Sequence, residues 1–316
     1  MISLADVKNA QKEIQETIHR TPILTSSLLD EHCGMNVFLK AEHLQKTGSF
    51  KIRGATNAVK QAVADGARSI TAASSGNHGQ AIAYIAGRMG IPAIIVVPED
   101  ASRAKVEAIK AYGAEVENCG LTSAERIPRA KQLAKRSNGI YIPPYDHPAV
   151  IAGQGTIALE ILEQVPEADA IVVPVGGGGL ISGILSAAKK IKPSVRIIGV
   201  EPETANDTFL SLQKGEITAI SGTSTIADGL RTSQPGDLTF PILKEHLDDL
   251  VLVSETEIKE AFRFLLERTK QLTEPSGATA LAAVMAGKAG NANEKTVVVL
   301  SGGNVDLHQI ADFLRE

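Results

Sequence analysis

The chain has 316 residues, 43% of them hydrophobic and 22% charged, which suits one large or two modest globular domains with ample core. Its net charge of -4 and its aromatic content of 3% argue against the basic, base-stacking surfaces that bind nucleic acid, so we predict no nucleic-acid partner. Residues 1–14 are charged early and lack the apolar run of a signal peptide, so we expect a cytoplasmic location.

Strand and helix patterns alternate along most of the chain. Runs of apolar and β-branched residues predict strands at 69–73, 93–97, 114–118, 170–173, 195–200, 250–253 and 296–300. Helical periodicity predicts helices at 78–89, 101–112, 123–136, 180–191, 257–269 and 276–286. Strands that alternate with such helices indicate parallel sheets built from βαβ units. We therefore predict an α/β fold with two doubly wound lobes and a cleft between them.

One window, 170–188, contains no charged residue and is about as long as a membrane span. Pro174 and the glycines at 176–179 lie inside it and make a continuous helix unfavourable. A strand, a glycine loop and the start of a helix explain the window better. We predict that the chain has no membrane-spanning segment.

Three of the predicted strands are followed by small polar residues and glycine. The stretches are S-S-G-N-H-G-Q at 74–80, P-V-G-G-G-G-L at 174–180 and S-G-G-N at 301–304. In doubly wound sheets, ligands bind at the carboxyl ends of the strands. The three stretches therefore mark one candidate binding site.

The glycine loop at 176–179 joins a predicted strand to a predicted helix. Glycine lets the backbone approach a ligand closely, and the free amides at a helix start bind anions. The loop has neither the dinucleotide fingerprint nor the Walker pattern, so a single phosphate is the simpler ligand. The alternative is a tight turn with close packing.

The stretch at 74–80 places two hydroxyls, an amide and an imidazole at another helix start. These groups suit a carboxylate or a phenolic oxygen. The alternative is that Ser75 or Asn77 caps the helix. His78 on its own is more often a structural residue than a catalytic one.

The stretch T-G-S-F-K-I-R-G-A at 47–55 places Lys51 directly after Phe50. A phosphate loop, a carboxylate pocket and a candidate lysine are the parts of a pyridoxal phosphate enzyme. Phe50 could cover one face of the cofactor ring. Without the other stretches, a solvated surface lysine would be the better explanation of Lys51.

These stretches, together with T-E-P-S-G-A at 273–278, resemble the fold type II pyridoxal phosphate enzymes of the serine racemase and serine/threonine dehydratase family. The resemblance covers essentially the whole chain. It implies a small lobe, residues 69–146, inserted into a larger cofactor-binding lobe, residues 1–68 and 147–316. It also implies a homodimer. The chain continues only briefly after 304, and we expect none of the isoleucine feedback of biosynthetic threonine deaminases.

The resemblance assigns the cofactor site residue by residue. Lys51 would form the Schiff base with the cofactor and act as the base at Cα on one ring face. Asn77 would bond the phenolic oxygen, and Ser301 would face the pyridine nitrogen. Phe50 would pack against the ring. The glycines that would hold the phosphate are Gly176, Gly177, Gly178 and Gly179.

The substrate side carries the one residue that separates the branches of the family. The residues implied in substrate binding are Ser74, Ser75, His78 and Arg126. Threonine dehydratases have alanine where this chain has Ser75, whereas in serine racemases this hydroxyl gives a proton to the second face of Cα. We therefore predict a serine racemase with serine/threonine dehydratase activity. A threonine dehydratase alone, a threo-3-hydroxyaspartate dehydratase and a non-catalytic amino-acid-binding protein are the alternatives.

A cation site is also implied by the resemblance. In the family, Mg²⁺ or Ca²⁺ is bound by a glutamate, a main-chain carbonyl and an aspartate, which here correspond to Glu201, Ala205 and Asp207. Oxygen ligands of this kind suit hard cations. The alternative is a loop with solvated acids.

Overall fold

The computed structural model describes residues 2–101 and 103–314. The strands are β1 (Ile23–Thr25), β2 (Asn36–Lys40), β3 (Ile70–Ala73), β4 (Ala93–Val97), β5 (Glu115–Asn118), β6 (Ile140–Tyr141), β7 (Ala170–Pro174), β8 (Arg196–Pro202), β9 (Asp249–Val253) and β10 (Lys295–Val299). The helices are α1 (Leu4–Ile14), α2 (Ser27–Cys33), α3 (Lys51–Ala64), α4 (Asn77–Met89), α5 (Arg103–Ala111), α6 (Ser123–Arg136), α7 (Pro148–Gln164), α8 (Gly179–Ile191), α9 (Asp207–Lys214), α10 (Thr239–His246), α11 (Glu255–Phe264), α12 (Pro275–Met285) and α13 (Leu307–Phe313).

The larger sheet has six strands in the order β1-β2-β10-β7-β8-β9. All neighbours in it are parallel except β1, which pairs antiparallel with β2 at the edge. Successive residues of its central strands face opposite sides. Val172 and Val298 belong to one apolar core, whereas Ile171 and Val297 belong to a second core on the other face. Helices cover both faces, as a doubly wound sheet requires.

The smaller sheet has four parallel strands in the order β5-β4-β3-β6. Its strands lie between Ile70 and Tyr141 and have a third apolar core of their own. The predicted α/β class with two doubly wound sheets is therefore confirmed. The domain boundaries at 69–146 stay a prediction.

The uncharged window at 170–188 forms β7, the glycine loop and most of α8, as its Pro and Gly residues predict. Among the described residues, no helix combines the length and the apolar character needed to cross a membrane.

The helices α3, α4 and α8 are among those that begin without a side-chain cap. The residues that precede the first turns of α3, α4 and α8 are Phe50, Gly76 and Gly178, and none offers a side-chain oxygen to the helix amides. A helix start keeps free amides and a partial positive charge unless a side chain, water or ligand satisfies them. All three starts line the same cavity.

Candidate active site

A cavity of about 930 Å³ lies where the carboxyl ends of β3, β7 and β10 meet. Every residue that the sequence assigns to cofactor or substrate binding lines it. These residues are Phe50, Lys51, Ser74, Ser75, Asn77, His78, Arg126, Gly176, Gly177, Gly178, Gly179 and Ser301. The structure thus brings together stretches that lie up to 251 positions apart (Phe50 to Ser301).

Lys51 is the first residue of α3, and the strand end at Ser301 fixes that turn. The backbone N–H of Phe50 donates to the Ser301 carbonyl at 3.1 Å, and Lys51 Nζ lies 5.1 Å from the centre of the Phe50 ring. Nζ donates to the Pro144 carbonyl at 2.8 Å, and no described carboxylate forms an ion pair with it. Burial lowers the pKa of Lys51 to about 8, and Glu274 opposes the shift only in part. About a tenth of the amine is therefore neutral and nucleophilic at pH 7, far more than for an ordinary lysine.

The glycine loop between β7 and α8 is packed closely against Tyr145 and Thr239. Gly178 has a φ of +87°, which favours glycine. A methyl group on Gly177 would lie 2.4 Å from the ring of Tyr145, and one on Gly178 would lie 2.8 Å from Thr239 Oγ1. Close packing therefore explains why no side chain is tolerated there. The uncapped start of α8 remains open to the cavity, as a phosphate requires.

The loop after β3 does not use its hydroxyls to cap α4. The residue before the first turn is Gly76, so the alternative that Ser75 or Asn77 caps this helix is not what the structure has. Ser74 Oγ accepts the N–H of Gly76 at 3.3 Å. Within 2–101 and 103–314, the hydroxyl of Ser75 has no protein partner. Ser75 is therefore free to meet a ligand.

Asn77 is held by two side-chain hydrogen bonds that the sequence analysis does not predict. Its Nδ2 donates to Glu274 Oε1 at 2.7 Å, and its Oδ1 accepts from Asn304 Nδ2 at 2.7 Å. Asn304 also donates to the Thr47 carbonyl at 2.7 Å, next to the lysine stretch. Burial raises the pKa of Glu274 to about 8, and Asp228 adds to the shift. The two partners, Glu274 and Asn304, are the long polar residues of the stretches T-E-P-S-G-A and S-G-G-N. Their position in these stretches is the sequence signal from which they could have been predicted.

His78 lines the cavity but is tied to the protein. Its Nε2 lies 2.9 Å from the Ile142 carbonyl, which makes Nε2 the protonated nitrogen of a neutral ring. Burial lowers the pKa of His78 to about 3, and the charge of Lys51 adds to the shift. The ring is therefore uncharged at neutral pH and offers Nδ1 as an acceptor. Its part in substrate binding stays a prediction.

Arg126 is the clearest anion-binding group in the cavity wall. It lies on α6, and its Nη2 donates to Ser123 Oγ at 3.2 Å. Its Nε and Nη1 are buried and have no partner among the described residues. Buried guanidinium donors without acceptors are costly, so their place in a cavity wall favours an anionic ligand such as a carboxylate.

Ser301 follows β10 and is buried. Its hydroxyl lies 3.4 Å from the Ser276 carbonyl, at the start of α12. A hydroxyl carries no charge and can donate or accept. It can therefore face a ring nitrogen without imposing a proton on it.

The predicted cation ligands are buried, not solvated. Glu201, at the end of β8, accepts the N–H groups of Thr208 at 3.1 Å and Phe209 at 2.8 Å. Asp207 begins α9 and accepts from Thr232 Oγ1 at 3.2 Å. Burial raises the pKa of Glu201 to about 8 and that of Asp207 to about 7, and Asp207 contributes to the shift of Glu201. Two buried carboxylates that repel each other suit a divalent cation, although the described residues contain no cluster of three or more acidic, His or Cys ligands.

The donor set of the cavity matches the three polar ends of pyridoxal phosphate. The Lys51 amine suits the aldehyde, the open start of α8 suits the phosphate, and the Asn77 amide suits the phenolic oxygen. The residues present therefore fit this cofactor.

Comparisons with known proteins agree with this fit. The family model of the pyridoxal-phosphate dependent enzymes matches residues 14–303. Serine racemase of Mus musculus is 47% identical over 314 residues, 97% of this chain and 92% of the relative. L-threo-3-hydroxyaspartate ammonia-lyase of Saccharomyces cerevisiae is 43% identical over 311 residues, 98% and 95% of the two chains. The structure of maize serine racemase has a TM-score of 0.94 at 40% identity and covers 98% of this chain and 96% of its own.

The match spans both sheets and the stretches that form the cavity, except for Asn304 to Asp306 at its end. It sets aside the alternative of a non-catalytic binding protein, because the family consists of enzymes that depend on this cofactor. The chain belongs to the pyridoxal-phosphate dependent enzymes.

Proposed function

We propose that this enzyme racemises serine and also removes the hydroxyl group of serine or threonine to give a 2-oxo acid and ammonia. The observation that carries the proposal is that Lys51 and Ser75 line one cavity from two separate elements. Lys51 comes from the start of α3, and Ser75 from the loop after β3 in the smaller sheet. Relatives that are named serine racemase support the same activity.

Lys51 serves as the base on one face of the substrate. Pyridoxal phosphate, when bound, draws electrons away from Cα and so makes its proton more acidic. The lowered pKa of Lys51, about 8, lets the amine accept that proton near neutral pH. The carbonyl of Pro144 orients the amine without stabilising its protonated form as strongly as a carboxylate would.

Ser75 serves as the proton donor on the other face. In racemisation, Lys51 takes the proton from Cα and Ser75 gives one to the opposite side, so the configuration inverts. In elimination, the Cα–H and Cβ–O bonds break, and the proton from Cα and the hydroxyl from Cβ leave together as water. Hydrolysis of the remaining enamine gives the 2-oxo acid and ammonia, so no second donor at Cα is needed. The free hydroxyl of Ser75 is consistent with the first role, since it is not used as a helix cap.

The substrate carboxylate is held at the start of α4 by Ser74, with Arg126 reaching the ligand from α6. His78, neutral and tied to Ile142, shapes the wall of this pocket. Ser301 faces the ring nitrogen and disfavours a protonated ring, which weakens the electron sink and disfavours transamination. Asn77 bonds the phenolic oxygen, the four glycines of 176–179 hold the phosphate, and Phe50 packs against the ring.

The test is a panel of L-serine, D-serine, L-threonine and 3-hydroxyaspartate, with chiral chromatography of serine alongside release of the 2-oxo acid. The proposal expects D-serine and pyruvate from L-serine. Pyruvate without D-serine would leave a dehydratase and remove the racemase assignment. Turnover of none of the hydroxy amino acids would overturn the proposal as a whole.

A threo-3-hydroxyaspartate ammonia-lyase is the second candidate. It is favoured by the two unpaired donors of Arg126, which lies on α6, whereas the carboxylate pocket lies at the start of α4. A substrate with two carboxylates would satisfy both places. Replacing Arg126 by Gln separates the candidates. A loss confined to 3-hydroxyaspartate supports a second carboxylate, whereas an equal loss with serine means that Arg126 binds the carboxylate that all substrates share.

We also propose a cation site, a homodimer and a cytoplasmic location. Glu201, Ala205 and Asp207 would bind Mg²⁺ or Ca²⁺, with waters completing the shell. The two buried carboxylates with raised pKa values support this, because a cation would hold both in the charged form. The homodimer rests on the family resemblance and is tested by sedimentation.

A further inference from the structure

Tyr145 lies at the centre of a segment that is anchored on both sides. The carbonyl of Pro144, just before it, accepts Lys51 Nζ at 2.8 Å. The carboxylate of Asp146, just after it, accepts the N–H groups of Asp237 at 3.1 Å and Leu238 at 2.8 Å. The side chain of Tyr145 is therefore presented to the cavity from a fixed backbone.

The ring of Tyr145 packs directly on the glycine loop. A methyl group on Gly177 would lie 2.4 Å from the ring atoms Cε1 and Cζ, and one on Gly179 would lie 2.8 Å from Tyr145 Cβ. Because Cζ carries the hydroxyl, the hydroxyl emerges beside Gly177. Thr239 Oγ1 donates to the Gly177 carbonyl at 2.8 Å and fixes the loop from its other side.

The hydroxyl of Tyr145 is a donor without a protein partner. Burial raises its pKa to about 12, and Asp146, Asp207 and Asp237 add to the shift, so it stays protonated at neutral pH. No hydrogen bond to it is found within 2–101 and 103–314, and the half-buried side chain lines the cavity. A protonated phenol with a free O–H suits an anionic acceptor.

We propose that Tyr145 donates a side-chain hydrogen bond to the cofactor phosphate and so completes the binding site formed by the glycine loop. The inference rests on the proposed assignment of 176–179 to the phosphate. Backbone amides alone would otherwise hold this group. The sequence pattern carries no signal for this role, because Tyr145 lies in a loop 31 positions before Gly176.

The variant that tests it is Tyr145→Phe, which keeps the ring against Gly177 and removes only the hydroxyl. The full-length protein is stripped of cofactor by dialysis and titrated with pyridoxal phosphate or with pyridoxal, which lacks the phosphate. Binding is followed by the visible absorption of the lysine-bound cofactor. Tyr141→Phe is the matched control, because Tyr141 is a half-buried tyrosine in the wall of the same cavity.

Tyr145→Phe should weaken pyridoxal phosphate binding about 10- to 100-fold, the range for a hydrogen bond to a charged group. Its affinity for pyridoxal should not change, and Tyr141→Phe should bind both compounds like the wild type. Unchanged affinity for pyridoxal phosphate in Tyr145→Phe overturns the proposal. An equal loss with both compounds also overturns it, because the hydroxyl would then act elsewhere than at the phosphate.

Two controls separate this test from the assumptions behind it. If the wild type binds pyridoxal and pyridoxal phosphate equally well, the glycine loop does not hold the phosphate, and the inference fails with that assignment. Failure of the proposed racemase activity would leave all these affinities as they are. The melting temperature of each stripped variant shows whether a loss of affinity reflects unfolding.

Discussion

Two cations stand two positions apart in the first turn of α3, one half-buried in the cavity wall and one fully buried, and their surroundings are opposite. Arg53 is fully buried and forms ion pairs with Glu42 at 2.7 Å and Glu160 at 2.7 Å. Lys51 has a single carbonyl as its partner, at 2.8 Å. The two carboxylates raise the pKa of Arg53 despite its burial, whereas burial lowers the pKa of Lys51 to about 8.

The cluster around Arg53 is a closed ionic network. Lys40, also buried, donates to Glu160 at 2.6 Å and to the Thr21 carbonyl at 2.8 Å. Burial alone would raise the pKa of Glu42, but the guanidinium of Arg53 lowers it. The ion pairs therefore favour the charged forms of Arg53 and Glu42 and fix the start of α3. The neighbouring lysine is held in place by that turn but left free to lose its proton.

The start of α3 therefore contributes both to stability, through Arg53, and to chemistry, through Lys51. A buried charge with full hydrogen-bond partners is inert, because neither proton transfer nor nucleophilic attack is open to it. A buried amine that lacks a carboxylate is poised to become neutral. Substitutions of Lys51, of Arg53 and of the groups around them test this contrast.

The largest effect is expected from Lys51→Ala. The change removes the cofactor linkage and the base together, so both racemisation and elimination should fall by about 10⁴-fold or more. Turnover of serine and the visible cofactor band are the measurements. Substantial activity in this variant would mean that another lysine does the chemistry.

The next largest effect is expected from Arg53→Met. It leaves Glu42 buried without its ion-pair partner and Glu160 with Lys40 alone, which should cost about 3–5 kcal/mol of the free energy of unfolding. The matched control is Arg20→Ala, which breaks an exposed pair with Glu163 at 3.0 Å and should cost less than about 1 kcal/mol. Urea unfolding of both variants checks this. Equal losses would show that the buried network is not what stabilises this region.

Ser75→Ala should separate the two reactions at the Lys51 site. Formation of D-serine from L-serine should fall by about 100-fold or more, the usual contribution of a positioned acid, while pyruvate release changes far less. Stability should hardly change, because Ser75 does not cap α4. An equal fall of both rates would place Ser75 in a step that the reactions share.

Cation removal tests a second pair of buried carboxylates. Chelation should lower the melting temperature and the activity, since a cation bound at about 100 times its dissociation constant stabilises the native state by about 2.7 kcal/mol. Asp207→Asn should abolish the response to added Mg²⁺ or Ca²⁺. Identical melting with chelator and with cation in the wild type would argue against the site.

A helix or strand could be predicted from the sequence where the residues that define it lie close together along the chain. The strand at 93–97 and the helix at 123–136 have the predicted bounds, and a local capping box of Thr122 and Glu125 sets the start of that helix. The predicted elements omit α7, whose residues 149–161 are all buried. A helix without a polar face lacks the periodicity on which such predictions depend.

In the candidate site, too, only the features carried by adjacent residues could be predicted. The stretches around Lys51, Ser75 and the glycine loop carry their chemistry in adjacent residues, and all of them line the cavity as predicted. The pairing of Arg53 with Glu160 joins residues 107 positions apart, and that of Asn77 with Glu274 joins residues 197 apart. No local pattern marks such pairs, because only the folded sheets bring them together.

The smallest effect is expected from Lys51→Met in the cofactor-free protein. It tests most directly how the surroundings of Lys51 differ from those of Arg53. The pKa of Lys51 is about 8 when folded and 10.5 when unfolded. Below pH 8 both states carry the charge, and the folded state bears the full cost of burying it. Above about pH 10.5 both states are neutral and the cost disappears.

The variant should therefore be more stable than the wild type at pH 6.5, by about 1–3 kcal/mol because cavity water reduces the cost. The gain should shrink at pH 9.5, whereas Arg53→Met should be destabilised at both pH values. Urea unfolding at the two pH values measures this. A pH-independent gain for Lys51→Met would show that packing, rather than the buried charge, accounts for it.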